Sequence, residues 1–377
     1  MKIKLTKDRA KNIWINAQRL DSSKPFGSGS KAVVKAIGHL GYVQIDTISV
    51  VERCHHHILF NRIPNYKKSD LHKTQSIDKS VFEYWTHALA YIATNDFKYF
   101  IHHMKRREKF PSVWFGSVSK AEMNKVLGLL KEGTISIRDI KDDVLNEEKH
   151  IWVSRKPSKK ALQWGFNCGK FVISEREGML KKYDLVDRHF NWNKKPKAVS
   201  DAEYTNYTID RALRSQGVVS LDSICHLEPK AKSATLEQIL KRVKKSELAE
   251  LQIEGIEKPQ HWIKPEVLEN KKIVESELTH ILSPFDPLII QRKKLKSFFD
   301  YEHIFEAYVP KEKRKFGYFT LPVLIGNQIV AVLDLKTDRE ARELLIQSWH
   351  WVGPHKSKIN KALIESELER FERFQLQ

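Results

Sequence analysis

The spacing of apolar residues near the start of the chain predicts two amphipathic helices. The first covers residues 6–19 with Thr6 as its N-cap, and the second covers residues 31–40 with Gly41 as its C-cap. Further helices are predicted around residues 52–62, 68–73 and 94–107. The aromatic segment 82–91 fits either a strand or a buried helix, and its pattern leaves both open.

One order of elements occurs twice in the middle of the chain. Three helical segments followed by a hairpin are predicted over residues 119–183, and the same order returns over residues 201–264. Matching turns, at 133–136 and 217–220, open the second helix of each copy. This order is typical of a winged helix, although ordinary helix pairs in one helical domain would produce a similar pattern.

The sequence pattern of the C-terminal region is typical of β-strands. Alternating segments at 305–309, 316–324 and 328–335, with a Gly326-Asn327 turn, predict an antiparallel β-domain over residues 278–338. Residues from Thr337 onward are expected to be mostly helical. The predicted fold class is therefore α+β, with tandem winged-helix domains followed by a small antiparallel C-terminal β-domain.

Four domains follow from these patterns. Residues 1–117 form an N-terminal winged-helix-like domain that carries a Gln-Ile-Asp motif, residues 118–198 a second winged helix, and residues 199–272 a third. Residues 273–377 form the β-domain with terminal helices. A chain of 377 residues that is 41% hydrophobic is large enough to bury several such cores.

The charge of the chain favours a polyanionic partner. There are 66 Lys and Arg residues against 47 Asp and Glu residues, which gives a net charge of +19 at pH 7. The phosphate backbone of nucleic acid is the commonest partner for such an excess, and a solvated basic surface is the alternative. Nucleic acid is therefore the expected partner.

Other classes of protein are disfavoured. The three cysteines, Cys54, Cys168 and Cys225, form no CxxC pair, so neither a zinc knuckle nor a redox motif is expected. The chain has no Walker-type loop for a nucleotide cofactor, no signal-peptide core and no apolar run of about 18 residues. We therefore expect a cytoplasmic, nucleoid-associated protein without membrane contact or cofactor, and without a coiled-coil segment it is expected to be a monomer.

Gln44 and Asp46 are the first candidates for chemistry. They stand two residues apart on a predicted strand, so their side chains would share one face. A carboxylate can stabilise a sugar cation and take a proton from water, and a carboxamide can orient that water. The local alternative is that Asp46 caps a helix beginning near Thr47.

A polar cluster follows directly. It contains Glu52, Arg53, His55, His56 and His57. Three successive histidines on a helix cannot all face one metal ion, because neighbours turn away by about 100°. No metal site is predicted, and Glu52, Arg53, His55 and His56 are expected to line a polar pocket or contact phosphate.

Tyr84, Trp85 and His87 form an aromatic group. It suits stacking on a nucleobase or closing the site, and a satisfied aromatic core is an equal alternative.

Paired lysines lie on predicted DNA-facing elements of the first repeat. Lys159 and Lys160 are on its third helix, and Lys181 and Lys182 are on its hairpin. Such positions suit phosphate contacts, although a single basic cluster is more often a solvated face. No lysine has the apolar surroundings of a Schiff-base nucleophile, so lyase activity is not expected.

Nearly the whole chain resembles the YcaQ (AlkX) branch of the AlkZ-like winged-helix DNA glycosylases. The most specific parts are residues 43–53, 82–89, 282–288 and 315–336. Gln44-Ile45-Asp46 matches the Gln-aliphatic-Asp form of the family's catalytic motif. Cys54 stands where a small residue such as Ala is expected, and His57 extends the usual His pair.

The resemblance implies a basic DNA cradle and a monofunctional glycosylase without a metal. Such an enzyme removes N7-alkylated purines and unhooks interstrand crosslinks. Asp46 would activate water and stabilise the oxocarbenium, and Gln44 would position the water or the lesion. A non-catalytic winged-helix transcription regulator and a metal nuclease that uses Glu52 and the histidines are the competing hypotheses.

Overall fold

The structure is a computed structural model that describes residues 2–111, 118–142, 156–270 and 272–377. The chain forms two compact units. Unit 1 contains Met1–Lys67, Thr86–Leu89 and Thr205–Gln377, and unit 2 contains Lys68–Trp85 and Ala90–Tyr204. The α+β fold class is confirmed, while the four domain ranges remain a prediction.

The N-terminal part of unit 1 follows the sequence closely. Its elements are β1 (Lys2–Leu5), α1 (Lys7–Ala17), α2 (Gly29–Leu40), β2 (Val43–Gln44) and α3 (Cys54–Phe60). The predicted caps are confirmed: the Thr6 side chain accepts the Arg9 N–H, and Gly41 ends α2 in a left-handed conformation. A side chain at Gly41 would also collide with Arg211. None of the described helices is long and apolar enough to cross a membrane.

The segment around the Gln-Ile-Asp motif corrects two predictions. The strand ends at Gln44 rather than continuing to Asp46. No helix begins at Thr47, because the next helix of the described chain, α3, starts at Cys54. Residues 45–53 are therefore an irregular connection.

Unit 2 begins with helices and a hairpin. Its elements are α4 (Lys68–His72), a π-helical turn (Lys73–Ile77), β3 (Val81–Trp85), β4 (Leu89–Ala93), α5 (Phe97–Lys109), α6 (Lys120–Glu132), β5 (Ile135–Ser136), α7 (Pro157–Asn167), β6 (Phe171–Glu177), β7 (Leu180–Leu185) and α8 (Val186–Phe190). The aromatic segment left open by the sequence is thus strand. Residues 112–117 and 143–155, inside the first and second predicted domains, lie outside the described residues.

The first predicted repeat appears with one change. Within the described residues 133–142, the predicted second helix is a 3-10 turn, Ile137–Asp139, which follows the short strand β5. The Asp139 carboxylate accepts the N–H of Ser136, and the Ser136 hydroxyl accepts the N–H of Arg138. This reciprocal capping closes the turn locally, and β5 pairs with β7.

The second predicted repeat is present in the predicted order. Its elements are α9 (Asp201–Gln216), α10 (Leu221–Ile224), α11 (Lys232–Lys244), β8 (Ala249–Ile253) and β9 (Ile256–Ile263). The strand β1 adds to this hairpin, parallel to β8, and no pattern in the sequence predicts this pairing. The order of elements is that of a winged helix, and the winged-helix arrangement itself remains a prediction.

The C-terminal region is a β-sheet flanked by helices. Its elements are β10 (Thr279–Ile281), α12 (Arg292–Phe299), β11 (Thr320–Ile325), β12 (Gln328–Asp338), β13 (Glu343–Trp351) and α13 (Lys358–Gln375). The four strands pair antiparallel in the order β10-β11-β12-β13, and Gly326-Asn327 forms the predicted turn. The predicted strand at 305–309 is irregular. The prediction that residues from Thr337 onward are mostly helical is wrong up to Trp351. This segment contains the end of β12 and the strand β13, which pairs with β12.

A buried ion pair fixes the C-terminal region against the N-terminal helices of unit 1. Arg62 and Asp286 are both fully buried and bond through two contacts of 2.7 and 3.0 Å. The other guanidinium N–H groups donate to the Gln18 backbone oxygen, the Gln18 side chain and the Ile58 backbone oxygen. The N–H donors of Arg62 are thereby satisfied away from water.

Candidate active site

Gln44 lies at the end of β2 with its side chain almost wholly buried. Its neighbours Val43 and Ile45 are core residues, and the Ile45 N–H donates to the Leu89 backbone oxygen at 2.8 Å. This pairing brings the turn after β3 to Gln44. The Nε2 atom of His87, in that turn, lies 3.1 Å from the Gln44 Oε1 atom.

The contact between His87 and Gln44 has a defined direction. Burial, with His226 and Arg211 nearby, lowers the pKa of His87 to about 3, so the imidazole is neutral at physiological pH. Because Oε1 of Gln44 can only accept, the proton of His87 is on Nε2. Gln44 therefore points its amide oxygen at His87 and its amino group away from it.

Aromatic rings enclose His87. Tyr42 and His226 both meet its ring edge-on, at centroid distances of 4.9 and 5.2 Å. The Arg211 guanidinium lies over Tyr42 at 5.6 Å, and burial raises the pKa of Tyr42 to about 12. No sequence pattern predicted His226 and Arg211 as site residues, because they are far from Gln44 along the chain and belong to no motif.

Asp46 is partly exposed just beyond the strand. Its Oδ1 accepts the N–H of Ile48 at 2.8 Å, so the carboxylate closes a local turn instead of capping a helix. Cys54 supports the same stretch, because its thiol donates to the Gln44 backbone oxygen at 3.1 Å. Burial, followed by the nearby Asp46, raises the pKa of Cys54 well above its usual value, which keeps the donor protonated.

The irregular segment after Asp46 is held by the C-terminal region. The Thr337 N–H donates to the Val50 backbone oxygen at 2.9 Å, and the Glu52 N–H donates to the Gln375 Oε1 at 2.5 Å. Glu52 is buried and its carboxylate accepts the N–H of Arg53 at 2.9 Å. Glu52 and Arg53, which were predicted to line a polar pocket or contact phosphate, thus help to hold this segment.

The three successive histidines point to different partners. His56 Nδ1 lies 2.7 Å from the Tyr66 hydroxyl, and His57 Nε2 donates to the Ile281 backbone oxygen at 2.8 Å. Burial lowers the pKa of His57 to about 4, and His55 is also buried. Within the part of the chain that the structure describes, no cluster of His, Cys, Asp and Glu side chains could hold a metal ion.

The predicted aromatic group of Tyr84, Trp85 and His87 does not form one cluster. Tyr84 is a core residue of unit 2: its hydroxyl donates to the Asn167 backbone oxygen at 2.6 Å, and its ring packs on Phe100 and Phe166. Trp85 is 38% exposed. His87 alone of the three is a neighbour of Gln44 in unit 1.

The four lysines of the first repeat differ in environment. Lys159 is exposed, whereas Lys160 is buried. The Lys181 amine lies over the Phe166 ring, and burial lowers its pKa. Lys182 forms an ion pair with Glu177. Lys159 is the exposed one of the four, and a phosphate contact there remains a prediction.

One lysine contradicts the observation that none has apolar surroundings. Lys294 is buried in unit 1 with its amine 3.9 Å from the centre of the Trp14 ring. Burial lowers its pKa well below the usual value. The amine donates to the Val218 backbone oxygen at 2.6 Å and to the Gln216 side chain at 3.3 Å. These contacts anchor α12 to the segment before α10.

Comparison with known proteins bears on the family and the fold of the chain. The sequence model of the family described as DNA glycosylase AlkZ-like matches residues 37–374, which include the Gln-Ile-Asp motif. Among solved structures, the chain is similar to the Streptomyces sahachiroi DNA glycosylase AlkZ. The TM-score is 0.60 at 15% sequence identity, over 99% of this chain and 97% of that one. At this identity the structural match bears on the fold alone.

Proposed function

The chain belongs to the AlkZ-like family of DNA glycosylases, and we propose that it is a monofunctional enzyme that hydrolyses the N-glycosidic bond of N7-alkylated purines in duplex DNA. We include in this proposal the unhooking of interstrand crosslinks made through such purines. The observation that carries it is that a partly exposed, turn-held Asp46 follows two residues after a Gln44 whose amide is oriented by His87.

Asp46 supplies the negative charge that the reaction needs. Cleavage of the bond between base and sugar passes through an oxocarbenium-like transition state. The Ile48 N–H fixes one carboxylate oxygen, and the partial exposure of Asp46 lets the carboxylate face a substrate. From there it stabilises the sugar cation and takes the proton of the attacking water.

Gln44 positions the water or the lesion. With its oxygen held by His87, the amino group is the end that can face the substrate. An N–H donor suits the lone pair of water or an acceptor on the purine, and a buried side chain offers it in one orientation.

The family resemblance implies an N7-alkylated purine as the substrate, and the modest chemistry of this site suits such a base. Such a base is already cationic and leaves readily, so a carboxylate and a positioned water suffice without a strong acid. A crosslinked base is tethered to both strands and cannot be flipped fully into a deep pocket. Such a base needs an open site rather than a closed pocket, and the net charge of +19 supports binding to the DNA backbone.

The test uses two substrates. The protein is incubated with a duplex that contains one 7-methylguanine and with a duplex that carries a nitrogen-mustard crosslink, each with and without EDTA. Half of every sample is then heated in alkali. We expect strand breaks only after alkali, to the same extent with EDTA, and loss of the crosslinked band.

Each competing hypothesis gives another result. Breaks without alkali that need divalent metal would indicate a nuclease, and metal-independent breaks without alkali would indicate a lyase. Tight binding to one DNA sequence without base release would indicate a transcription regulator.

A further inference from the structure

Leu227 has an unusual backbone conformation and an exposed side chain. It follows α10 in a turn closed by a hydrogen bond of 2.7 Å from the Glu228 N–H to the Cys225 backbone oxygen. Its φ angle is +59°, in the left-handed region, and the residue is 73% exposed. Glycine or asparagine is the usual residue at such a position.

A single exposed leucine is ordinary on a protein surface, but this one combines exposure with strain. A branched side chain in the left-handed region destabilises the turn, and exposure to water gives little packing in return. The leucine therefore costs the folded protein stability that glycine would not. A contact with a binding partner, rather than with the rest of the protein, accounts for a leucine at this position.

The turn is also next to the candidate active site. The ring of His226, the residue before Leu227, packs against His87 at 5.2 Å, and His87 donates to Gln44 at 3.1 Å. Two side-chain contacts and one peptide bond thus connect the exposed leucine to Gln44.

The surroundings of Leu227 are cationic. It lines a cavity of about 410 Å³ together with Lys232, Arg292 and Lys293. Lys232 pairs with Asp222, and Arg292 also donates to the His303 backbone oxygen at 2.9 Å. An apolar tip among positive charges fits DNA, whose phosphates face the cations and whose base stack accepts the tip.

We propose that Leu227 is a wedge that inserts into the base stack beside the lesion. This inference rests on the proposed glycosylase function. A stacked nucleotide hides its anomeric carbon from water, and a side chain that replaces one stacking contact lowers the cost of displacing the lesion toward Gln44 and Asp46.

The experiment compares three substitutions at this position. Leu227→Gly and Leu227→Asn both suit a left-handed backbone but remove the apolar tip, and Leu227→Met keeps it. Each variant is bound to a duplex with 2-aminopurine beside a 7-methylguanine, and the fluorescence rise on unstacking is recorded. Single-turnover release of the base is measured on the same duplex, and melting temperature is measured without DNA.

We expect the Gly and Asn variants to melt at or above the wild-type temperature, to lose the fluorescence rise, and to release base at least 10-fold more slowly. Leu227→Met should keep most of the signal and rate. An unchanged fluorescence rise in the Gly and Asn variants would overturn the wedge, and so would a lower melting temperature in both. If the wild-type protein releases no base at all, the proposed function fails, while the fluorescence still decides whether Leu227 enters the stack.

Discussion

The Nε2 atom of His87 lies 3.1 Å from the Oε1 atom of Gln44, and this contact turns the amino group of the carboxamide away from His87. The two residues belong to separate strand ends, and the contact forms because Ile45 pairs with Leu89 at the base of the turn. We regard His87 as a positioning residue that acts through Gln44.

Loss of this hydrogen bond should slow base release without weakening DNA binding. His87→Leu removes the donor, so the Gln44 amide can rotate, and the single-turnover rate should fall about 10-fold, the equivalent of one hydrogen bond of about 1.4 kcal/mol. His87→Gln, whose Nε2 can replace the ring N–H, should recover part of the rate. Equal rates for the Leu and Gln variants would show that the donor has no positioning role.

Buried neutral histidines should make the fold sensitive to mild acid. Burial lowers the pKa of His57 to about 4 and those of His87 and His280 to about 3, whereas a histidine in the unfolded chain titrates near 6.5. Between these values the unfolded chain binds more protons, so the free energy of unfolding falls as the pH drops below about 6.5. Above that pH the contribution is fully present.

The slope of this dependence can be measured. Each such histidine contributes up to about 1.4 kcal/mol per pH unit in that window. His280 donates to the Leu20 backbone oxygen at 3.1 Å, and His280→Gln keeps a donor without the titration. Urea unfolding from pH 4.5 to 6.5 should show a slope smaller by about one proton for this variant. An identical slope would mean that His280 is not buried in its neutral form.

The ion pair between Arg62 and Asp286 should be the most sensitive polar contact of unit 1. Arg62→Met leaves a fully buried carboxylate without its partner, which costs about 3–5 kcal/mol in the free energy of unfolding. Arg62→Met with Asp286→Asn removes the buried charge and should recover part of that loss. Glu237→Gln, which breaks the exposed pair with Lys241, is the matched control and should change stability little. A small effect of Arg62→Met would contradict the burial of this pair.

Local signals in the sequence predicted the parts of the fold that local interactions determine. Thr6 and Gly41 bound helices through hydrogen bonds within a few residues, and Gly326-Asn327 forms a turn between neighbouring strands. The parallel pairing of β1 with β8 joins distant parts of the chain and leaves no local pattern. The strand β13 escaped prediction because its residues do not alternate between apolar and polar.

The same distinction between local and distant interactions applies to the candidate active site. Gln44 and Asp46 could be found from the motif, while His226 and Arg211 reach His87 only through folding. Residues 315–319 and Asp334, which lie in a segment that carries the family resemblance, have a supporting role in the fold. The Glu306 carboxylate accepts the N–H groups of residues 315–317, and the Asp334 carboxylate accepts those of residues 318 and 319. Their spacing alone could not distinguish such a supporting role from a catalytic one.

A catalytic role of Asp46 is best tested by single-turnover release of 7-methylguanine by the Asp46→Asn variant. The substitution keeps the shape and the oxygen that accepts the Ile48 N–H but removes the negative charge. We predict a fall in rate of about 10²–10⁴-fold with DNA affinity nearly unchanged. Release at the wild-type rate would show that the Asp46 carboxylate is not catalytic.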